Sequence, residues 1–388
     1  MKENDGPAMS ILMAAGVPRR REGGVAAIIY NLGRELQRAG HQVTYLFYED
    51  LMTDSESAGR FRDLRFAVRL ARHVRKNPGK YSVVNFHAPT GFAYGVSRKL
   101  VPTNGSPPYV MTLHGLEERR IHVMSREVKK GRAWHFSFAN RLWHRLYHWP
   151  RFYLSIKTAD GAHCYSRDVW TLLQLKYNLD SERVTYIPSG VEERFFIPRE
   201  YMERKPVRLL YAGTWLDQRG IFYLRDALNR VDANFPDWTL TIVGAGVSED
   251  NLKSFFGRRI AHKIRASPVV PADKMPQLYM DHDIFVLPSL MEGLPSVLLE
   301  AMASGMPVIT AETCGMVDVV QDDWNGLLVP PANAEALEEA ILKLCRHTDL
   351  CQRIGMTAKA SMSRYKWTDS ARKLERLFVS ALPDSKSK

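Results

Sequence analysis

The sequence predicts two doubly wound α/β domains, because strand, glycine-containing loop and helix alternate in two separate regions of the 388 residues. A chain of this length exceeds one ordinary hydrophobic core, so two domains are expected. The first region has a strand at residues 10–15, an amphipathic helix at residues 25–38 and a strand at residues 43–47. The second opens with a strand at residues 207–212, after a polar linker at residues 197–206.

The other predicted elements are apolar runs or helical-period segments bounded by turn residues. In the first domain they are a basic helix at residues 61–75, strands at residues 81–87, 109–113 and 159–166, a helix ending at residue 177 and a strand at residues 184–192. In the second they are strands at residues 238–243, 269–271, 284–287, 307–310 and 325–329, and helices at residues 297–303, 334–345 and 367–382. The predicted domains are residues 1–198 and 206–364, and residues 365–388 form a terminal helix and tail.

One strand–loop–helix unit of the second domain is typical of an anion-binding site. The apolar strand at residues 284–287 leads into a Gly-Leu-Pro-Ser turn, and the helix at residues 297–303 follows, with Pro295 near its first turn and Gly305 after its end. Backbone N–H groups at a helix start have no partner within the helix, so they favour a bound anion.

Two acidic residues, Glu292 in the loop and Glu300 on the helix, belong to this unit. The inner face of such a helix is apolar, and Leu298, Leu299 and Met302 supply it. Glu300 interrupts that face, so its carboxylate needs a hydrogen-bond partner. Ribose hydroxyls would be one such partner. Solvent around an ordinary helix carboxylate is the other interpretation, and spacing alone leaves both open.

Composition narrows the classes of protein. Hydrophobic residues make up 45% and charged residues 25%, as in globular proteins, and no apolar run is long enough for a transmembrane helix. The net charge of +12 suits nucleic acid, an anionic membrane or phosphate-rich substrates, but no nucleic-acid motif accompanies it. Four scattered cysteines and the lack of a recognisable signal peptide predict a reducing cytoplasm.

The segment EGLPSVLLEAMASGMPVIT, which holds Glu292 and Glu300, resembles the Glu-x7-Glu signature of the group 1 retaining glycosyltransferases with the GT-B fold. Other blocks stand in that family's order along nearly the whole chain, at residues 23–24, 112–115, 187–191, 213–220 and 244–246. The resemblance implies two Rossmann-like domains that face each other across a cleft. It also implies a nucleotide-sugar donor in the second domain, an acceptor in the first, and a terminal helix that packs back on the first.

The resemblance also assigns roles to individual residues. Glu300 would bind the ribose, Glu292 would contact the donor sugar, and His114 would bond a donor-sugar hydroxyl without acting as a nucleophile. A loop histidine bonded to backbone is the other interpretation of His114. The backbone groups that would hold sugar and diphosphate belong to Gly293, Leu294, Ser296 and Val297, and to Gly23 and Gly24.

The chain departs from the family in the first loop of the second domain. Relatives commonly carry an arginine and a lysine there for the diphosphate, whereas this chain has Thr214 and Arg219. Arg219 can still neutralise phosphate bidentately, while Thr214 offers a hydroxyl and no charge. Either another arginine compensates, or donor affinity is reduced, or the protein is a non-catalytic member. The candidate arginines are Arg20, Arg21 and Arg258.

Residues 119–151 combine aromatic residues with nine Lys and Arg and a single acidic residue, Glu127. Such a segment suits an interfacial helix on an anionic membrane, or an acceptor-binding surface. A solvated helix whose aromatic side chains pack into the first domain is the alternative.

No metal site is expected. His144 and His148 stand four residues apart, but no carboxylate or thiolate joins them. Asp281-His282-Asp283 resembles the Asp-x-Asp metal motif of the other glycosyltransferase fold. We reject that interpretation because the segment directly precedes a strand, where the GT-B family has an aspartate for structural reasons.

These observations predict an enzyme that moves a hexosyl-type sugar from a nucleotide diphosphate to an acceptor hydroxyl with retention, without metal or cofactor. The predicted catalytic residues are Glu292, His114 and Arg219. A lipid-linked or envelope polysaccharide acceptor is expected, with the protein in the cytoplasm and peripheral on the inner face of the membrane. The alternatives are a soluble small-molecule acceptor, an epimerase or phosphorylase of the same architecture, a weakened nucleotide-sugar-binding or membrane-docking member, and a nucleic-acid binder suggested by charge alone.

Overall fold

The computed structural model describes residues 8–20, 24–59, 61–115, 117–133, 136–267 and 269–383. Within them the chain folds into two compact units. The first lies within Met1–Glu117, Leu142–Gly190 and Lys366–Lys388, and the second lies within Glu118–Arg141 and Val191–Tyr365. Each unit is built on a parallel sheet with helices between its strands, so the predicted fold class is confirmed.

Strands and helices alternate along most of the chain. The strands in the described residues are β1 (Ser10–Ala14), β2 (Gln42–Leu46), β3 (Val83–His87), β4 (Tyr109–Leu113), β5 (Gly161–Cys164), β6 (Val184–Tyr186), β7 (Val207–Ala212), β8 (Trp238–Val243), β9 (Ile264–Ser267), β10 (Ile284–Leu287), β11 (Val308–Ala311) and β12 (Leu327–Val329). The α-helices are α1 (Gly24–Arg38), α2 (Tyr48–Leu51), α3 (Asp54–Ser57), α4 (Arg62–Arg75), α5 (Phe92–Leu100), α6 (Glu117–Lys129), α7 (Phe138–Trp143), α8 (Trp149–Thr158), α9 (Arg167–Tyr177), α10 (Ile221–Asn234), α11 (Glu249–Phe256), α12 (Met275–Met280), α13 (Ser296–Ala303), α14 (Ala334–Arg346), α15 (Thr348–Met362) and α16 (Trp367–Ala381).

The strand order creates one switch point in each sheet. It is β2-β1-β3-β4-β5-β6 in the first unit and β12-β11-β10-β7-β8-β9 in the second, with neighbouring strands parallel. The chain moves outward from β1 in one direction to β2 and in the other to β3. It does the same from β7 to β8 and to β10. Where the order reverses in this way, the loops after two adjacent strands separate and leave a crevice that binds ligands in α/β proteins.

Burial explains why these runs form strands and helices. Every residue of β3, β4, β10 and β11 is buried, as expected for central parallel strands covered on both faces. Helix α1 buries one face, which includes Ile28, Ile29, Leu32 and Leu36. These residues recur at helical spacing, so the amphipathic pattern in the sequence corresponds to a real inner face.

The predicted strand at residues 269–271 is wrong. The outer strand of that sheet is β9, where Ile264 is buried and pairs with Leu240 of β8. Val269 is instead 62% exposed. Proline on both sides of the Val-Val pair removes backbone donors that a sheet ladder needs, which explains why the pair stays outside the sheet.

Residues 118–141 belong to the second unit, although they were predicted in the first domain. A buried polar contact between α6 and α10 gives the physical reason. Tyr223 donates a hydrogen bond to Glu127 at 2.6 Å, and Glu127 is only 3% exposed. Arg132 pairs with Asp226 at 2.8 Å and stacks over the ring of Tyr223 at 4.5 Å. These contacts anchor the segment on the first half of α10.

The terminal helix α16 belongs to the first unit, where it packs on α1. His41 and Glu375 approach at 3.0 Å, and the hydroxyl of Ser370 donates to the carbonyl of Pro188 at 2.8 Å. The long stretch of the first unit ends at Gly190, and the second unit resumes at Val191. The predicted end of the first domain, residue 198, is therefore eight residues too late.

A nearly continuous helix runs from α7 through a π-helical turn, His144–His148, into α8. Among the described residues, no helix is both long enough and apolar enough to cross a membrane.

Candidate active site

The switch point of the second unit brings two predicted site loops to one edge of the sheet. β7 and β10 are adjacent and parallel. The loop after β7 carries Thr214 and Arg219, and the loop after β10 carries Glu292. Because the carboxyl ends of adjacent parallel strands meet at the same edge, the fold itself places these loops side by side.

Main-chain hydrogen bonds join the loops of this edge. The amide of Leu290 donates to the carbonyl of Gln218 at 2.9 Å, and the amide of Gly315, after β11, donates to the carbonyl of Gly293 at 2.9 Å. Gly315 lies so close that a Cβ atom there would overlap the Gly293 carbonyl. Gly220 has a φ of +72°, and a Cβ there would overlap the carbonyl of the residue after β10. The loops are therefore held in place by backbone.

Two of the predicted catalytic residues, Arg219 and Glu292, form an ion pair. Arg219 ends a 3-10 turn, Asp217–Arg219, and its side chain is 20% exposed, while that of Glu292 is 13% exposed. The hydroxyl of Ser289 lies 3.4 Å from the same carboxylate. Burial lowers the pKa of Arg219, although an arginine remains charged in proteins. The site thus holds a partly buried cation whose charge a carboxylate balances.

Glu300 is half-buried on α13 and has a partner that the sequence analysis missed, Tyr279 of α12. The hydroxyl of Tyr279 donates to Oε2 of Glu300 at 2.9 Å. Burial raises the pKa of Glu300 to about 7, while this hydrogen bond and the charge of Arg194 act in the opposite direction. The negative charge of Glu192 adds to the increase. A carboxyl group with this pKa changes its charge near neutral pH.

A 3-10 turn, Glu193–Phe195, supplies the neighbourhood of Tyr279 and Glu300. The ring of Phe195, in this turn, packs edge to face on the ring of Tyr279, with centroids 5.9 Å apart. Arg194 pairs with Glu192 at 2.6 Å. Sequence reasoning could not find these groups, because they lie about a hundred residues before α13 and have no spacing relation to it.

The backbone groups predicted to hold a ligand belong to the loop after β10 and to the first turn of α13. Gly293 and Leu294 are buried in the loop, and Ser296 and Val297 are half-buried in the first turn of α13. N–H groups of a first turn have no carbonyl partner within the helix. Thr214 is exposed, and its carbonyl accepts a hydrogen bond from Tyr211 at 3.2 Å.

The arginines considered for the place of Thr214 are not part of the described contacts that join these loops. Arg20 and Arg258 are exposed, and Arg21 lies outside the described residues. A different arginine, Arg119 of α6, acts electrostatically on Cys314: burial raises the pKa of the Cys314 thiol, and Arg119 opposes that increase. Cys314 precedes Gly315 in the joined loops, so α6 brings positive charge to this region of the second unit.

The first unit contains the remaining predicted residues. His114 follows β4, and its Nε2 lies 2.6 Å from Nδ1 of His87, at the end of β3. The ring of His114 also stacks on Tyr165 with centroids 5.0 Å apart. Burial lowers the pKa of His114 to about 4, so the ring is neutral at physiological pH. Gly24 begins α1 with a φ of +65°, and Gly23 lies outside the described residues.

The residues considered as metal ligands have other roles here. The rings of His144 and His148 stack at 4.7 Å. Asp283 accepts a hydrogen bond from the amide of Arg208 at 2.8 Å, at the start of the central strands. In the part of the chain that the structure describes, no group of three or more His, Cys, Asp or Glu residues could hold a metal ion.

Two family models match consecutive parts of the chain. Residues 193–361 match the family described as glycosyl transferases group 1, and residues 22–195 match the one described as glycosyltransferase family 4. The first match contains the joined loops with Arg219 and Glu292, and helix α13 with Glu300. The second contains His114 and its neighbours.

Curated proteins and solved structures agree with these matches. An uncharacterized glycosyltransferase of Methanocaldococcus jannaschii is 24% identical over 355 residues, covering 89% of this chain and 91% of that protein. An Escherichia coli UDP-Gal:alpha-D-GlcNAc-diphosphoundecaprenol alpha-1,3-galactosyltransferase is 24% identical over 296 residues, covering 73% of this chain and 70% of that protein. Sucrose-phosphate synthase from Thermosynechococcus elongatus has a TM-score of 0.74 at 18% identity, covers 96% of this chain and 98% of its own, and bears on the fold alone. The two models together match residues 22–361, of which residues 193–361 match the group 1 family, so this protein is a glycosyltransferase with the GT-B fold and two Rossmann-like domains.

Proposed function

We propose that the protein is a retaining glycosyltransferase that moves a hexosyl unit from a nucleotide-diphosphate sugar to an acceptor hydroxyl. The observation that carries the proposal is one strand–loop–helix unit in which Glu292 pairs with Arg219 and Glu300 stands on the following helix. This unit and the loop after β7 thus carry a cation, two carboxylates and helix N–H groups. A nucleotide-diphosphate sugar has the complementary groups: a diphosphate, ribose hydroxyls and sugar hydroxyls.

Glu300 is the proposed ribose-binding residue. An ionised carboxylate accepts hydrogen bonds on both oxygens, so it can take two neighbouring hydroxyls while Tyr279 continues to orient it. The amides at the start of α13 and in the preceding loop are proposed to bind the diphosphate and the sugar. The residues that would supply these amides are Gly293, Leu294, Ser296 and Val297.

Arg219 is the proposed cation for the leaving diphosphate. It can bind phosphate without giving up its pairing with Glu292 completely. A guanidinium has five N–H donors in a planar fork, so Arg219 can bond phosphate while keeping part of its contact with Glu292. Glu292 can then also accept a hydrogen bond from the donor sugar. A charge fixed in this way before reaction stabilises the leaving group electrostatically.

The proposed chemistry uses no metal and no protein nucleophile. The acceptor hydroxyl attacks the anomeric carbon on the face from which the diphosphate leaves, and a phosphate oxygen takes the hydroxyl proton. Neutral His114 forms a hydrogen bond with a sugar hydroxyl and transfers no proton. Because Thr214 replaces a charged residue common in relatives, a catalytically weakened, nucleotide-sugar-binding protein is the alternative.

Thermal unfolding with UDP, GDP, ADP and CMP and their common sugars tests the proposal. A ligand that binds the native state raises the melting temperature according to its affinity. We expect one nucleotide series to stabilise the wild type and the Glu339→Ala control, an exposed residue of α14, but not Glu300→Ala. Turnover with a retained anomeric configuration, measured by NMR of the product, distinguishes the enzyme from the weakened protein. No stabilisation at millimolar ligand would contradict the proposal.

We further propose that the acceptor is lipid-linked and that the first unit docks on an anionic membrane. The supporting observation is an apolar stripe on the helix around the π-turn. It consists of Leu142, Leu146, Trp149 and Tyr153, which are 47%, 68%, 36% and 36% exposed. Their spacing places them on one helix face. Leu175 of α9 is 80% exposed as well.

Basic residues accompany this stripe. Arg145, Lys157 and Lys176 are exposed. Lys157 donates to the carbonyl of Tyr177 at 2.9 Å and lies 6.0 Å from the ring of Tyr153, so the end of α9 adjoins the stripe. Exposed apolar side chains with lysine and arginine beside them suit the headgroup region of an anionic bilayer. The name of the E. coli relative contains a diphosphoundecaprenol-linked sugar, which supports a lipid-linked acceptor for this chain too.

Co-sedimentation with vesicles tests the docking proposal. We expect binding to vesicles that contain phosphatidylglycerol, weaker binding to pure phosphatidylcholine, and loss of binding in Leu146→Glu. Met356→Glu, at a 59% exposed apolar position of α15, is the matched control and should bind like the wild type. Equal loss in both variants, or no binding to either lipid, would favour a soluble small-molecule acceptor instead.

A further inference from the structure

The switch point of the first unit, between β1 and β3, contains a pocket with its own chemical character. The loop after β1 contributes Gly16 and Val17, the loop after β3 contributes Thr90, and α4 contributes Asp63. Among the described lining residues, Asp63 is the one charged side chain; Arg62, whose Nε lies 3.7 Å from it, is outside the lining. An anionic ligand would meet a carboxylate here, so the lining favours an uncharged one.

His87 and His114 both line this pocket, and His87 is only 2% exposed. Its Nδ1 contacts Nε2 of His114 at 2.6 Å, and the two rings stack with centroids 4.9 Å apart. Its other nitrogen, Nε2, is buried and has no hydrogen-bond partner among the residues that the structure describes. A buried polar atom without a partner costs free energy, so a ligand or a water is expected to satisfy it.

The contact between the two histidines couples the positions of the protons on their rings. Burial keeps the pKa of His87 well below its ordinary value and that of His114 at about 4, so both rings are neutral and share one proton between them. When Nδ1 of His87 holds that proton, Nε2 of His87 is an acceptor and His114 carries its own proton on Nδ1. When Nε2 of His114 holds that proton instead, Nε2 of His87 carries a proton and donates, and Nδ1 of His114 is an acceptor. The group bound at His87 therefore selects the nitrogen with which His114 donates.

We propose that this pocket binds an uncharged, hydroxyl-bearing ring of the acceptor sugar, and that Nε2 of His87 accepts a hydrogen bond from one of its hydroxyls. The carboxylate of Asp63 already accepts a hydrogen bond on Oδ1 from the hydroxyl of Tyr48, so its Oδ2 offers an acceptor for a second hydroxyl. The proposal rests on the transferase function proposed above and adds the class of acceptor: a neutral sugar, in contrast to a phosphorylated or acidic one.

Two substitutions separate the ligand role of His87 from its role toward His114. The amide nitrogen of asparagine reaches the place of Nδ1, so His87→Asn keeps the contact with His114 and removes Nε2. The longer glutamine reaches the place of Nε2, so His87→Gln keeps the pocket group and loses the contact with His114. Asp63→Asn, which touches neither histidine contact, is a third variant for the same pocket.

Saturation-transfer NMR on the full chain without nucleotide measures binding directly. The neutral probes are methyl α-D-glucopyranoside and methyl α-D-galactopyranoside, and the charged probes are glucose 6-phosphate and methyl glucuronide. We expect the neutral probes to bind the wild type and His87→Gln, and to bind His87→Asn about five- to tenfold more weakly, as for the loss of one hydrogen bond. Asp63→Asn should weaken binding too. The ¹⁵N signals of His114 should move in His87→Gln and stay in place in His87→Asn.

Three results would overturn this inference: no binding of neutral probes, equal binding by the wild type and His87→Asn, or charged probes that bind as tightly with the same dependence on His87. Because the measurement contains no nucleotide, its failure is distinguishable from failure of the transferase proposal, which the nucleotide-stabilisation experiment judges.

Discussion

If Glu300 binds the ribose as proposed, nucleotide-sugar affinity should rise with pH through neutrality, because Glu300 must lose a proton to accept two ribose hydroxyls. Burial raises the pKa of Glu300 to about 7, and the hydrogen bond from Tyr279 limits that increase. The experiment therefore varies the pH and measures nucleotide-sugar affinity. Glu300→Gln and Tyr279→Phe are the variants expected to change the pH dependence of that affinity.

The size of the effect follows from the ionised fraction of one carboxyl group. With a pKa of about 7, Glu300 is ionised to roughly one tenth at pH 6 and to roughly nine tenths at pH 8. If only the ionised form binds, the apparent dissociation constant falls about tenfold between these two values, because it scales inversely with the competent fraction. A carboxyl group with an ordinary pKa would be ionised throughout this range and would give almost no change.

Isothermal titration of a nucleotide-diphosphate sugar between pH 5.5 and 8.5 measures this dependence. An intact sugar diphosphate is preferable to a free diphosphate, whose terminal phosphate titrates in the same range. Tyr279→Phe removes a hydrogen bond that favours the ionised form, so its midpoint should move to higher pH. Glu300→Gln should bind weakly and without pH dependence.

A flat profile in the wild type would refute the reasoning, provided that Glu300→Ala abolishes binding. That combination would show that Glu300 binds the ligand and is already ionised at pH 6. A midpoint that falls in Tyr279→Phe would equally show that the tyrosine does not support the carboxylate.

Three further predictions concern stability. The free energy of unfolding should decrease as pH rises from about 5 to 7, since folded Glu300 keeps a proton that the unfolded chain releases, and Glu300→Gln should flatten this slope in urea titrations. Gly315→Ala should destabilise by about 1–3 kcal/mol through overlap with a loop carbonyl, whereas Gly115→Ala, where a Cβ meets nothing within 4 Å, should change thermal unfolding little. Tyr223→Phe should cost about 1–3 kcal/mol by removing a donor from buried Glu127, and an unchanged melting temperature would contradict this.

Local patterns in the sequence predicted the two doubly wound domains and most strands. The strand at residues 284–287 and the following helix were predictable because each is defined by apolar residues and turn residues that are neighbours in the sequence. The contact between Arg219 and Glu292 was also accessible in outline, because both were expected at ends of strands in one sheet. Their direct pairing is a tertiary fact that spacing does not encode.

Other features required the folded chain. Tyr279 binds Glu300 across 21 residues and two elements, and its own short helix gave no sign of a partner. The basic segment around Glu127 carries the composition of a solvated or interfacial helix, yet one buried hydrogen bond to Tyr223 attaches it to the second unit. His87 could have been found from the sequence. It ends a predicted strand, as His114 nearly does, and successive parallel strands end at the same edge.

The backbone hydrogen bonds between the loops of the second unit have a consequence for how this protein can change over evolutionary time. Leu290 and Gly293 are fixed through their main-chain atoms, so the shape of the edge does not depend on which side chains surround it. Exposed positions such as Thr214 can therefore be exchanged without altering the framework that presents them. Gly220 and Gly315 are the exceptions, since any side chain there would overlap a carbonyl. Side chains at the exposed positions of this edge can thus diversify while the loop architecture is inherited unchanged.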